Sequence, residues 1–343
     1  MNTVVFLPNW VGDAVMATPM IRALRDQFSR PSRLIGVVHP RVFDILSGNP
    51  WFDHLICYAW DAADTKHRFL MACRNLRHER PERAVILPHS KHHAALALLS
   101  GAGQRIGYDR RQRGLLLTTR LQSPMLNNSF KPGSMIDYYL ELARASGCTA
   151  ISREMELFTT PDEESAADSV WAENGWASSD RVVVINNSGS FGAAKLWPEE
   201  YAVELAKRIF DHGRCRVLFL CGPEESERSA ASAAEAGVSS LAGHQPRLGL
   251  TKACLKRCAL MITTDSGPRH IAAAFGKPVV TLFGPTDPAW SDTGNPQETQ
   301  LATAIECRPC QQRICPLKHH RCMKELSVDT VWAAAQNILN HLP

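Results

Sequence analysis

The chain has 343 residues, of which 45% are hydrophobic and 21% charged, with a net charge of +4. That length accommodates two domains of roughly 150 residues, each with a full core, and the composition is that of a folded globular protein. The small net charge excludes a general nucleic-acid binder, and no apolar run approaches the roughly 18 to 20 residues of a membrane span.

The N-terminal MNTVVFLPNW has no basic region ahead of its short apolar stretch, which points to a cytoplasmic protein. Residues 4–7 read as a buried strand, and residues 13–28 as a helix with Ala17, Met20, Ile21, Leu24 and Phe28 on one face. Strands follow at 34–38 and 84–88, then a helix through 94–99 and another near 135–146. The polar, acidic stretch 159–179 contains the crossing into a second series. That series has a strand at 182–185, a helix at 198–210, a strand at 216–220, a helix at 224–236 and a strand–helix–strand unit within 259–288. Such alternation implies parallel sheets covered by helices on both faces. Two series imply two Rossmann-like domains, residues 1–165 and 166–326, followed by a terminal helix in 327–343. Two segments, 66–83 and 105–120, are rich in Arg and His. Either they form local basic faces suited to an anionic substrate or a phospholipid surface, or they are plain solvated faces.

Ligands of open parallel sheets collect at the carboxyl ends of strands, so the loops there hold the candidate chemistry. After the first strand, Gly12-Asp13 sets a carboxylate at a helix start, either as a first-turn charge or as a general base. The loop after the 182–185 strand is rich in small residues, Ser188, Gly189 and Ser190, and ends on Lys195 before Trp197-Pro198. Its backbone can approach a diphosphate closely while Lys195 neutralises a leaving group, although it lacks the Walker spacing. Glu224 and Glu225 are either acceptors for ribose hydroxyls or first-turn helix acids. In the 259–288 unit, Asp265-Ser266-Gly267-Pro268 supplies a turn, a capping hydroxyl and an early proline. Arg269 and His270 add donors to a helix N-terminus that favours phosphate. Asp265, Ser266 and His270 lie too close in sequence for a hydrolase triad, and Gly101-Ala102-Gly103 with Gly107 follows a helix where a dinucleotide fingerprint follows a strand.

Eleven cysteines without a secretory signal do not indicate a disulfide framework. Cys307, Cys310, Cys315 and Cys322 stand apart as C-x2-C-x4-C-x6-C, with His319 and His320 between the last two. Three readings stay open for them: a structural zinc site, a redox-labile or disulfide cluster, and unligated thiols.

Taken in order, the loops resemble those of the lipopolysaccharide heptosyltransferases, glycosyltransferase family 9. PNWVGDAVMATPMIRAL is similar to the opening of that family, NNSGSFGAAKLWP to its central donor loop, and TTDSGPRHIAAAFGKPVVTLFGPTDP to its most distinctive signature. LPHSKHHAALALLSGAGQRIGYDRRQRGLLLTTRL is similar to the acceptor-side segment of the second heptosyltransferase type. The resemblance implies a GT-B architecture, two Rossmann-like doubly wound domains facing across a cleft, with the terminal helix returning to the first. It also implies an inverting transfer of L-glycero-D-manno-heptose from ADP-heptose to the lipopolysaccharide inner core, at the cytoplasmic face of the inner membrane. By the same resemblance Asp13 is the base and Lys195 binds the donor phosphates. Ser188, Gly189 and Ser190 line the diphosphate loop, Glu224 or Glu225 holds the ribose, and Asp265, Ser266, Gly267 and His270 cradle diphosphate and heptose. No catalytic metal or other cofactor is expected. Two other readings stand beside this one: a family 9 transferase with another nucleotide sugar or acceptor, and an inactive sugar-nucleotide or glycolipid binding protein. The Asn186-Asn187-Ser188 sequence and the cysteine loop depart from the commonest form of the family.

Overall fold

Among the described residues, twelve short strands form two parallel sheets of six. In the first, β1 (Thr3–Phe6), β2 (Leu34–Val38), β3 (His54–Cys57), β4 (Arg83–Ile86), β5 (Gln104–Tyr108) and β6 (Thr119–Leu121) lie in the order β3-β2-β1-β4-β5-β6. A small antiparallel pair, β7 (Met125–Leu126) and β8 (Ser129–Phe130), follows. The second sheet joins β9 (Val182–Asn186), β10 (Arg216–Phe219), β11 (Ser239–Ser240), β12 (Leu260–Thr264), β13 (Val279–Phe283) and β14 (Glu298–Ala302) in the order β11-β10-β9-β12-β13-β14. This computed structural model describes residues 1–342 apart from 61–64, 127–128, 131–132, 189–190 and 246.

Both sheets thus repeat the doubly wound order 3-2-1-4-5-6, the Rossmann arrangement expected from the alternation. The central strands are apolar throughout because helices cover both faces: Val4, Val5 and Phe6 are fully buried, as are Val182, Val183 and Val184. In each sheet the order reverses between the first and fourth strands, so the crevices lie beyond β1 and β4 and beyond β9 and β12. The pairing Thr263↔Asn186 sets β12 beside β9 at that point.

Contacts divide the chain into Met1–Phe158 and Thr159–Pro343, so the boundary falls earlier than the expected 165/166. The reason is the helix Pro161–Glu173, which the acidic composition of 159–179 concealed. Thr160 and Glu163 form its capping box, and Glu163 reaches the fully buried Lys252 at 3.0 Å. Glu164 pairs with Lys256 and Arg257, tying this helix to the helix Leu248–Arg257 of the second unit. The terminal helix Val328–His341 packs on the helix Glu199–Asp211 and buries Val331, Ala335 and Leu339 in the second core. Near the N-terminus, the single helix expected at 13–28 is two, Val11–Met16 and Thr18–Gln27. Pro19 has no N–H for the Val15 carbonyl, and the Thr18 hydroxyl bonds that carbonyl at 2.7 Å instead. Among the described residues no helix is long and apolar enough to cross a membrane.

Candidate active site

Within the second unit, the loops after β9 and β12 meet around one buried carboxylate. Asp265 follows β12, and its Oδ2 accepts from Lys195 Nζ at 2.8 Å and from Thr286 Oγ1 at 2.7 Å. Its Oδ1 accepts from Ser291 Oγ at 3.1 Å and from Arg269 at 3.3 Å. Lys195 donates a second bond to the Asp265 carbonyl at 2.7 Å. The fully buried Arg269 in turn holds Glu298 through Nε at 2.6 Å and Nη2 at 3.1 Å, and its guanidinium lies over the Phe283 ring. Thr281 and Thr293 complete the Glu298 carboxylate.

The result is a neutral chain of alternating charge, Lys195, Asp265, Arg269, Glu298. Burial alone would raise the Asp265 carboxyl, but Lys195 and Arg269 outweigh it and hold the group well below the usual carboxylate range. Glu298 is lowered in the same way, by Arg269 against the effect of burial. Such an assembly adds little net stability compared with apolar packing, yet it fixes position strongly, because removing one member leaves a buried charge unmatched. Arg269, expected to add a donor at the helix N-terminus, is turned inward to do this.

Ser266 also departs from expectation. It occupies the N-cap of the helix Gly267–Ala274 but makes no side-chain cap. Its hydroxyl accepts from Asn186 Nδ2 at 2.9 Å and meets Thr263 Oγ1 at 3.1 Å. The first backbone N–H groups of the helix therefore have no capping side chain, and the positive end of its dipole is left for an anion. Next to it, His270 is buried, and its Nδ1 has no hydrogen-bond partner. Burial, aided by Arg269, lowers its imidazolium to about 3, so the ring is neutral.

The β9 loop is pinned at both ends. Ser188 donates to Asn186 Oδ1 at 2.7 Å, while Asn187 exchanges bonds of 2.9 Å with the backbone N–H and carbonyl of Trp197. The Asn186-Asn187 pair is thus the structural anchor of this loop. Gly189 and Ser190 lie outside the described residues. Asn187 and Ser188 line a recess together with Glu225, Arg228 and Ser229. The two candidate ribose acids separate here: Glu225 borders the recess and accepts from the Gly222 N–H at 3.1 Å, whereas Glu224 is exposed.

In the first unit, Asp13 occupies the first turn of the helix Val11–Met16, at the carboxyl end of β1. Tyr139, from the helix Met135–Ala145, donates to its Oδ1 at 3.0 Å. Loss of solvation pushes the Asp13 carboxyl up to about 6, and the Tyr139 bond limits the rise. Sequence reasoning missed Tyr139, whose only signal is its place on the buried face of a helix. The basic run 105–120 is only partly a surface. Arg113 is fully buried and donates to the carbonyls of Ile86, Pro88 and Tyr108, which braces the loop after β4.

The sequence profile of glycosyltransferase family 9 (heptosyltransferase) matches residues 70–321, which include the Lys195 loop and the Asp265 turn. The chain belongs to that family. As a family 9 member it is a glycosyltransferase. It is similar to the structure of Escherichia coli ADP-heptose lipopolysaccharide heptosyltransferase II, with a TM-score of 0.80 and 22% identity over 99% of each chain. Lipopolysaccharide heptosyltransferase 2 of Escherichia coli K12 is 29% identical over 84% of both sequences. Lipooligosaccharide heptosyltransferase 2 of Campylobacter jejuni serotype O:2 is 24% identical over 99% of both.

Proposed function

We propose that this family 9 enzyme is an inverting heptosyltransferase of the second type, transferring L-glycero-D-manno-heptose from ADP-heptose to the lipopolysaccharide inner core. The observation that carries the reading is likeness along the length of the chain to proteins named heptosyltransferase 2. Fold alone would admit many donors.

In this reaction the acceptor oxygen bonds to the anomeric carbon of heptose as the bond from that carbon to the diphosphate breaks. The acceptor proton passes to Asp13, and the electron pair leaves on ADP. A carboxylate with a pKa of about 6 is a better proton acceptor than an ordinary aspartate and is still ionised at pH 7. On the donor side, two of the three Lys195 N–H bonds go to Asp265. The third is assigned to a phosphate oxygen, next to the uncapped N-terminus of the helix Gly267–Ala274. Ser188 lines the diphosphate, and Glu225 takes the ribose hydroxyls. His270 contributes a neutral donor toward diphosphate or heptose. Asp265 acts as a positioning residue, because both its oxygens are already engaged. With Lys195 and the helix dipole meeting the charge that develops on the leaving group, no catalytic metal is required.

Contact with the cytoplasmic face of the inner membrane is part of the same proposal. The helix Thr65–His78 exposes Leu70 and Met71 among Arg68, Arg74 and Arg77, a combination suited to anionic lipid.

The deciding experiment offers ADP-, UDP- and GDP-linked sugars with a core-lipid acceptor and measures nucleoside diphosphate release. ADP release that depends on both heptose and acceptor is expected; preference for a UDP or GDP sugar overturns the heptose assignment.

A further inference from the structure

The loop of residues 307–322 carries Arg308, Arg313, Lys318 and Arg321 and no Asp or Glu. Among the described residues its four cysteines are free thiols and are not drawn together as a metal-binding group. Its cations are what bear on the donor site, because the loop is bonded to the two segments that shape the surroundings of Asp265. The Arg313 carbonyl accepts from the Ala194 N–H at 3.0 Å, and His320 Nε2 meets the Ala194 carbonyl at 2.9 Å. A Cβ on Gly192 would come within 2.5 Å of the Arg313 carbonyl oxygen, and Gly192 has φ +148°, so this approach needs glycine. On the other side, the Gln311 N–H donates to the Pro285 carbonyl at 2.9 Å. Ala194 adjoins Lys195, and Pro285 adjoins Thr286, the two residues that hold Asp265 Oδ2. Arg313 is therefore fixed beside the Lys195 loop through its backbone, which leaves its side chain unspent.

That side chain is exposed, and its guanidinium carbon lies 5.7 Å from the centre of the Phe191 ring. Lys195 Nζ lies 4.6 Å from the centre of the same ring. The two cations differ in how their charge is balanced. Lys195 is matched by Asp265, at the head of a chain that is neutral as a whole. Arg228, which borders the recess, has Glu225 at 3.7 Å. Within the loop, Arg321 pairs with Glu325, and Arg308 donates to the carbonyls of Gly284 and Thr303. Arg313 has no acidic partner among the described residues, so its charge is the unmatched one beside the Lys195 loop. A diphosphate that gains negative charge as its sugar departs draws most from positive charge that no acid already neutralises.

We propose that Arg313 is a phosphate-binding residue of the donor site, which donates to the diphosphate oxygens and supplies the unmatched positive charge that receives the leaving nucleotide. Phe191 is the platform it shares with Lys195, and it holds the two cations beside one another without an acid between them. Arginine suits the place because its planar fork grips two phosphate oxygens at once and stays charged throughout. The inference rests on the reading of the Lys195 loop as a diphosphate site. It does not depend on which sugar the diphosphate carries.

The test titrates the full-length protein with ADP and with adenosine and measures turnover of ADP-heptose. Arg313→Gln is expected to bind ADP about tenfold more weakly and adenosine as the parent does, because the lost contact is to phosphate. Its kcat should also fall about tenfold, since the same contact strengthens as the leaving group charges. Arg313→Lys keeps the charge without the fork and should lose about threefold in ADP affinity. Lys318→Gln removes an equal charge from another exposed position of the loop and should leave ADP affinity within about twofold. Three results overturn the proposal: ADP affinity within about twofold of the parent in Arg313→Gln, an equal loss for adenosine, which marks a purely structural role, or an equal loss in Lys318→Gln, which marks a diffuse field. A parent that prefers UDP or GDP overturns the proposed donor instead, and the same variants are then judged with that diphosphate and its nucleoside. A parent that binds no nucleoside diphosphate overturns both.

Discussion

Tyr139 Oη donates to Asp13 Oδ1 at 3.0 Å, and this single bond opposes the desolvation that drives the carboxyl up to about 6. Tyr139 can only be the donor, because burial and the neighbouring Asp13 push its own phenol well above 10. The two residues come from different helices, so the proton affinity of the proposed base is set by tertiary packing.

Removing the phenol therefore has a defined sign. In Tyr139→Phe the ionised form of Asp13 loses a hydrogen bond worth ~1.5 kcal/mol, so the acidic limb of the pH–rate profile moves up from about 6 by about one pH unit. Activity at pH 8.5 is largely retained. An unmoved limb would show that Asp13 is not the group that titrates in turnover.

Asp13→Asn separates chemistry from folding. Turnover is expected to fall about 10² to 10⁴-fold while ADP affinity stays within about twofold, because a base contributes to the step and not to nucleotide binding. Stability moves the other way. The folded pKa is above the ordinary aspartate value of 3.8, so the contribution of Asp13 is greatest below that value and is lost as pH rises through about 6. The asparagine variant should melt higher than the parent at pH 8, and the advantage should fade toward pH 4. Thermal melts across that range check it.

Much of this was legible in the sequence, and the gaps have physical causes. The strand, turn and helix of 259–288 could be read because apolar runs and Gly-Pro punctuation are local signals. The partners of Asp265 could not: Thr286, Ser291 and, through Arg269, Glu298 lie 21 to 33 residues away, and only the β12–β13–β14 pairing brings them in. Ser266 was misread as a cap because N-cap statistics ignore Asn186, which bonds the hydroxyl from the adjacent strand. The capping box at Thr160 and Glu163 was a local signal that acidic composition obscured. Among the strands of the two sheets, β3, β6, β11 and β14 are missing from the sequence reading because edge strands lack the continuous apolar run of central ones, and β5 because Gln104, Arg105 and Gly107 interrupt its run.

Asp265→Asn tests the buried charge chain. At pH 7 it leaves Lys195 and Arg269 facing a neutral amide, and a loss of about 3–5 kcal/mol is expected by chemical denaturation. Because the folded pKa of Asp265 is depressed, its contribution is present above the unfolded value of 3.8 and declines as pH falls below it. The gap between parent and variant should therefore be constant from pH 8 to 5 and narrow below about 4. A gap that widened in acid would contradict the assignment of Asp265 as the ionised partner.

Glu225 and Glu224 differ in burial, and nucleotide affinity should follow. Glu225 borders the recess with Asn187 and Ser188, so Glu225→Gln is expected to weaken ADP about tenfold, the equivalent of one charge-assisted hydrogen bond to ribose. Glu224→Gln should change it less than about twofold. Calorimetric titration with ADP and with 2′,3′-dideoxy-ADP resolves the two, since the dideoxy ligand should no longer distinguish Glu225→Gln from the parent.

His270 supplies the last prediction. Burial holds its imidazolium near 3, so from pH 5 to 9 the ring is neutral and adds no positive charge to the donor site. Its Nδ1 is buried without a partner, and an unmatched lone pair costs less than an unmatched N–H. The proton therefore resides on Nε2, where it can serve as a donor to diphosphate or heptose. Nitrogen NMR of labelled protein should show that tautomer at pH 7 and no titration down to pH 5. His270→Ala should lower kcat/KM about tenfold, the value of one neutral hydrogen bond, and leave the pH limb set by Asp13 in place. A variant that moved that limb would mean that His270 shares the titration, and the neutral-donor role would fall.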